Sequence, residues 1–129
     1  MVENRFERGK AQLKRMNGGE IDATLNKLME ISPDLCRYTV EFPYGDILCR
    51  PGLDLRSREI ATVAALTVLG NAPDQLNAHI SMALNVGCTK QEIIEVIIQM
   101  AIYAGFPAAW NGMVVAKEVF DKREKDGMN

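Results

Sequence analysis

Asp54-Leu-Arg-Ser-Arg-Glu-Ile-Ala-Thr-Val-Ala-Ala-Leu-Thr-Val-Leu69 decides the fold, because beyond its first turn and Glu59 nothing in it is more polar than a threonine. It has no strand-like alternation, and its length and composition predict a helix. A helix apolar on every side is expected to be buried. Ala72 to Val86 reads as the next helix and carries His79, the only histidine in the chain. An acid one turn into an apolar helix caps the helix start, pairs with a cation or has a chemical task, and His79 is the partner on offer.

Outward from this pair, Gly70, Gly87 and Gly105 each fall where a helical pattern ends, a place that favours left-handed backbone. Thr89 and Glu92 form a capping box opening a helix to about Ala104, with Ile93, Val96, Ile97 and Met100 as its apolar stripe. Pro107 opens a last helix that begins apolar and ends in the charged tail Asp121 to Asp126. Towards the amino terminus, residues 3 to 16 read as an exposed amphipathic helix ended by Asn17-Gly18-Gly19, and residues 20 to 30 as a second helix. Ser32-Pro33 is an N-cap followed by proline at the first helical position. The third helix carries Leu35, Thr39 and Phe42 on one side until Pro43 kinks or splits it. Tyr44 to Gly52 reads as a turn-rich connector, with Asp54 as N-cap of the central helix.

No stretch alternates as a strand would, and no turn pair sits where a hairpin needs one. The expectation is an all-α single domain of about six to seven helices over residues 1–129, with 1–30 as N-terminal helices and 31–124 as the core. Four successive apolar helices leave more apolar surface than so short a chain can cover with polar groups, which predicts self-association.

The 129 residues include 47% apolar and 25% charged side chains, with a net charge of −2. These values are ordinary for a globular protein. Basic residues are dispersed, so nucleic acid and anionic membranes are not expected partners. No apolar run reaches the ~20 residues that span a bilayer, and the charged start lacks a signal peptide's apolar core, so the expected location is cytoplasmic. Cys36, Cys49 and Cys88 are odd in number and widely spaced, which fits reduced thiols.

Arg50-Pro-Gly-Leu-Asp-Leu-Arg-Ser-Arg-Glu-Ile-Ala-Thr-Val-Ala-Ala-Leu66, Gln75-Leu-Asn-Ala-His79, Ala83-Leu-Asn-Val-Gly-Cys-Thr-Lys-Gln-Glu-Ile-Ile-Glu95, Tyr103-Ala-Gly-Phe-Pro-Ala-Ala109 and Tyr44-Gly45-Asp46 together resemble the carboxymuconolactone decarboxylase family. The resemblance runs over roughly residues 30 to 120. It implies an all-helical subunit, a homohexamer built as a trimer of dimers, and no metal or organic cofactor. A related branch, the alkylhydroperoxidase-D-like proteins, carries a C-x-x-C pair ahead of the histidine. Here those two positions are Ala72 and Gln75, so the attacking and resolving thiols of a dithiol peroxidase are both absent.

The implied reaction removes carbon dioxide from a lactone carboxylate. Electrons of the departing carboxylate flow into the lactone carbonyl, and the resulting dienolate is protonated at carbon. This needs a donor or cation at the carbonyl oxygen, a proton donor, and apolar walls. Glu59 and His79 are the candidate proton-transfer pair. Arg56 is the candidate anchor for a substrate carboxylate, and Gln75, Tyr103 and Trp110 are candidate binding residues. On a helical wheel Glu59 shares a side with Arg56, Val63 and Leu66. Burial disfavours its charge and a neighbouring cation favours it, and the balance decides between an acid and an anionic orienter.

Each residue also has a plain structural role open to it. His79 borders the stripe of Leu76, Ile80 and Ala83 and could simply be a satisfied structural residue. Glu59 could be a first-turn acid meeting the helix dipole, and Arg56 a structural ion-pair partner. Tyr103 and Trp110 could be core. Two other functions stay open at this level: a thiol-dependent peroxidase using Cys88 or Cys49, and a non-catalytic oligomeric binding protein on the same fold.

Overall fold

A computed structural model describes residues 4–128; the first two residues of the predicted first helix lie one inside and one outside this range, Glu3 being outside. Among the described residues there are seven α-helices, one π-helix and no strand. They fall into two compact units, divided between Asp54 and Leu55. None of the helices is long and apolar enough to cross a membrane.

The first unit holds α1 (Arg5–Asn17), α2 (Asp22–Ile31), α3 (Pro33–Thr39) and the π-helix (Val40–Ile47). The Asn4 side chain caps α1 by accepting from Phe6 and Glu7, and Gly18 ends it in left-handed backbone. Ser32 Oγ accepts from the Leu35 N–H at 3.2 Å, with Pro33 at the first helical position, as its sequence predicts. The break expected at Pro43 takes another form. Winding widens from α to π at Val40 and runs through the proline, with the Leu48 N–H donating to the Pro43 carbonyl at 2.7 Å. A wider coil relieves the clash of the proline ring with the carbonyl one α-turn earlier. The expected connector therefore starts only after Ile47.

Leu35 and Phe42, which the sequence places on one side of the third helix, are more than half exposed, and the buried side chains are Cys36, Val40 and Tyr44. Helix α1 lies against the π-helix with almost no space between backbones. A Cβ at Gly9 would sit 2.1 Å from the Val40 carbonyl oxygen, and one at Gly45 would sit 2.7 Å from that of Arg5. Only glycine permits such an approach. The contact is closed by Arg8 Nε donating to the Gly45 carbonyl at 2.6 Å and by Arg5 and Arg8 both pairing with Asp46.

The second unit holds α4 (Leu55–Leu69), α5 (Pro73–Asn85), α6 (Lys90–Ala104) and α7 (Phe106–Lys125). Gly70, Gly87 and Gly105 all have positive φ at the helix ends, and Thr89 and Glu92 form both bonds of the capping box. The core gathers Val63, Leu76, Ile80, Ala83, Ile93, Ile97, Val115, Ala116 and Val119 from all four helices. Helices α4 and α7 approach closely at Gly112, where a Cβ would lie 3.0 Å from Thr67 Cγ2.

One expectation changes here. Helix α4 is not buried all round: Glu59, Val63 and Thr67, spaced four apart, form its buried stripe, while Ala61, Ala65, Val68 and Leu69 are exposed. The charged tail also contributes a buried side chain. Arg123 is buried and donates to Ser81 Oγ at 3.1 Å and Asn85 Oδ1 at 3.0 Å, which fastens α7 to α5.

Candidate active site

Glu59 stands one turn into α4, beyond the reach of a first-turn cap, on the stripe it shares with Val63 and Thr67. Its side chain is fully buried. Helix α5 starts at Pro73, after Ala72 at the N-cap position, and buries Leu76, Ile80 and Ala83. His79 flanks that stripe with its side chain 18% exposed. The two helices bring His79 Nδ1 to 2.9 Å from Glu59 Oε2. Glu59 Oε1 is buried without a hydrogen-bond partner.

The geometry has a direct chemical reading. With Glu59 ionised, Nδ1 carries the hydrogen and donates it to Oε2, which fixes the ring's orientation and tautomer. Proton exchange with another molecule then falls to Nε2. An unpaired buried acceptor costs about 1–3 kcal/mol, so the placement of Glu59 is expensive for a purely structural acid.

Arg56, one turn before Glu59, is ion-paired with Glu92 while its side chain stays 42% exposed. Glu92 Oε1 at the same time accepts from the Thr89 N–H at 2.9 Å, so one carboxylate both caps α6 and holds Arg56. Sequence reading missed this second role, because the capping box already explained Glu92. Cys88 Sγ, buried, donates to the Arg56 carbonyl at 3.6 Å and ties the loop before α6 to the first turn of α4. Cys49 belongs to the first unit, is exposed, and donates to the Tyr44 carbonyl at 2.9 Å.

Gln75 is exposed on α5 one turn before His79, hence on the same face. Tyr103 and Trp110 are each 71% exposed on α6 and α7. Trp110 lines an apolar groove of about 310 Å³ with Ile98, Ala101, Phe106, Ala109 and Met113; neither Glu59 nor His79 lines it. Among the described residues, no three His, Cys, Asp or Glu side chains are grouped to hold a metal ion.

The family model of the carboxymuconolactone decarboxylase family matches residues 33–118. A 4-carboxymuconolactone decarboxylase of Acinetobacter baylyi is 32% identical over 92% of this chain and 88% of its own length. An uncharacterised 15.0 kDa protein of Paracoccus denitrificans is 27% identical over 98% of this chain and 95% of its own. A nitrosuccinic acid decarboxylase of Metarhizium robertsii is 32% identical over 63% of this chain and 56% of its own.

Proposed function

The chain belongs to the carboxymuconolactone decarboxylase family, and from that membership we propose that it is a decarboxylase acting, without a cofactor, on 4-carboxymuconolactone or a related lactone carboxylate. The observation that carries the reading is the 2.9 Å contact between His79 Nδ1 and the buried Glu59 Oε2. It supports a histidine held in one tautomer, with Nε2 as the proton-exchanging atom.

In this reading the carboxylate leaves as carbon dioxide and its bonding electrons pass into the lactone carbonyl. His79 Nε2 gives a proton to the dienolate carbon, and His79 recovers one from solvent. Glu59 holds the ring and offsets the positive charge that His79 carries before it donates. Gln75 and Arg56 are the proposed polar contacts for substrate, with Arg56 sharing its charge between Glu92 and a substrate carboxylate. The relatives named as decarboxylases of 4-carboxymuconolactone and of nitrosuccinic acid support a decarboxylase function in general. Assembly as a homohexamer is part of the proposal.

The test is carbon dioxide release from 4-carboxymuconolactone by wild type and by His79→Gln. Release by the wild type that the substitution abolishes supports the reading; equal release from both rejects the role of His79. A wild type with no release rejects the substrate.

A further inference from the structure

Arg56 is the second residue of α4, at the positive end of that helix's dipole, where a cation is disfavoured and an acid would stabilise. The segment that joins α5 to α6 nonetheless holds it at three points. Glu92 forms an ion pair with the guanidinium through Oε2. Cys88 Sγ donates to the Arg56 carbonyl at 3.6 Å. The Gly87 backbone lies against the side-chain stem, where a Cβ would be 4.0 Å from Arg56 Cδ. Glu92 is itself fixed by the helix cap, with Oε1 accepting from the Thr89 N–H at 2.9 Å and its own N–H donating to Thr89 Oγ1 at 3.1 Å.

We propose that Glu92 is a positioning residue that holds the Arg56 guanidinium ready for a substrate carboxylate, so that this long side chain is ordered on folding and not on binding. The proposal rests on the reading of Arg56 as the carboxylate anchor and goes beyond it by giving Glu92 a task in binding.

Three features favour this over a structural ion pair. The first is exposure. The two side chains are 42% and 34% exposed, and a pair so open to water contributes little to stability. The cap on α6 needs only an acceptor at position 92, which glutamine supplies as well. The second is capacity. A guanidinium has five N–H donors and a carboxylate engages two of them at most, so Arg56 can hold Glu92 and a second carboxylate together. The third is placement. Arg56 lies one turn before Glu59 on α4, and the holding segment follows directly on α5, which carries His79. The segment therefore ties the anchor to both helices of the acid–base pair. Glu92 also repels an arriving carboxylate, so charge alone predicts tighter binding once it is neutralised, whereas loss of positioning predicts weaker binding.

Three variants of the full chain test this. Glu92→Gln keeps the cap and removes the charge, and Arg56→Gln removes the anchor. Thr89→Ala removes the other bond of the cap and leaves the Glu92 carboxylate in place. Initial rates over a concentration series of 4-carboxymuconolactone give kcat and KM, and thermal melts give stability. The Arg56 Nε–H resonance of isotope-labelled protein, assigned by its loss in Arg56→Gln, reports how firmly the guanidinium is held.

Glu92→Gln is expected to raise KM about 2–10-fold, the cost of ordering one long side chain on binding, with kcat little changed and the Nε–H resonance broadened. Thr89→Ala should lower the melting midpoint without moving KM. Arg56→Gln should have the same KM with and without Glu92→Gln, since Glu92 acts only through Arg56. An unchanged or lower KM in Glu92→Gln would overturn the proposal, and an equal rise in Thr89→Ala would reduce Glu92 to a helix cap. A wild-type KM in Arg56→Gln would remove the anchor and the task of Glu92 together while leaving the decarboxylation intact. A wild type that releases no carbon dioxide rejects the substrate instead; an Nε–H resonance identical in wild type and Glu92→Gln then overturns the positioning by itself.

Discussion

Glu59 buries both oxygens of its carboxylate but pairs only one of them: Oε2 lies 2.9 Å from His79 Nδ1, and Oε1 has no partner. An arrangement chosen for stability alone would satisfy both oxygens or replace the acid with an apolar side chain. The half-satisfied state keeps a carboxyl group against the imidazole, and it separates what each residue contributes.

For His79→Gln, loss of the proton donor is expected to lower carbon dioxide release by about 10²–10⁴-fold. Glu59→Gln keeps an oxygen that can accept from Nδ1 but removes the charge, and it should cost less, about tenfold, or ~1.4 kcal/mol of transition-state stabilisation. Single-turnover rates on the two variants check the order. A Glu59→Gln protein as slow as His79→Gln would mean that the acid itself transfers the proton.

Stability should follow the opposite course. Glu59→Met removes the unpaired oxygen and fills the site with apolar volume, while His79, partly exposed, can turn to water. Its unfolding free energy is expected to stay within about 1 kcal/mol of wild type or to rise, whereas activity is lost. Urea midpoints measure the first and carbon dioxide release the second.

Gly112 sets the distance between α4 and α7. An alanine there would place its Cβ 3.0 Å from Thr67 Cγ2 and 3.4 Å from Ile97 Cγ2, an overpacked contact costing about 1–3 kcal/mol. Thr67→Ser deletes the nearer methyl. Combined with Gly112→Ala it should recover part of the loss, and thermal melts of the two single variants and the double variant give the coupling.

Asp46 ties the first unit together against Arg5 and Arg8. The hydrogen bond from Arg5, reinforced by the charges of both arginines, holds its carboxyl below the usual carboxylate range. A carboxyl whose folded-state value is lowered binds its proton more readily unfolded than folded. Its stabilising contribution is therefore complete above the ordinary carboxylate range, and it is lost as pH falls through that range and then through the lower folded value. Urea midpoints from pH 6 down to pH 3 should fall for the wild type more than for Asp46→Asn; parallel curves would show that the pair contributes nothing measurable.

Helix ends were the most legible part of the molecule, because caps act locally. Ser32 with Pro33, Thr89 with Glu92, and the glycines at 70, 87 and 105 each stand beside the backbone groups they serve. The closeness of Glu59 and His79 could also be anticipated, since each lies on or beside a periodic stripe of its helix. The π-winding could not, because it depends on how the chain accommodates Pro43 and not on a pattern of side chains. The burial of α4 and the exposure of Trp110 escaped for a shared reason. An apolar side chain states that it avoids water, not whether its own chain covers it. Glu92 hid its contact with Arg56 behind a local role that was already sufficient.

The π-helix makes the first unit sensitive to chain length at one place. Between Val40 and Ile47 the winding uses one more residue per turn than an α-helix would. Deleting a single residue ahead of Tyr44 without a change of winding would move every following side chain by roughly a quarter-turn about the helix axis. Gly45 would leave the Arg5 carbonyl it now passes at close range, and Tyr44 would swing out of the interior. An alignment gap in these eight positions would therefore do more harm than most exchanges of one side chain for another.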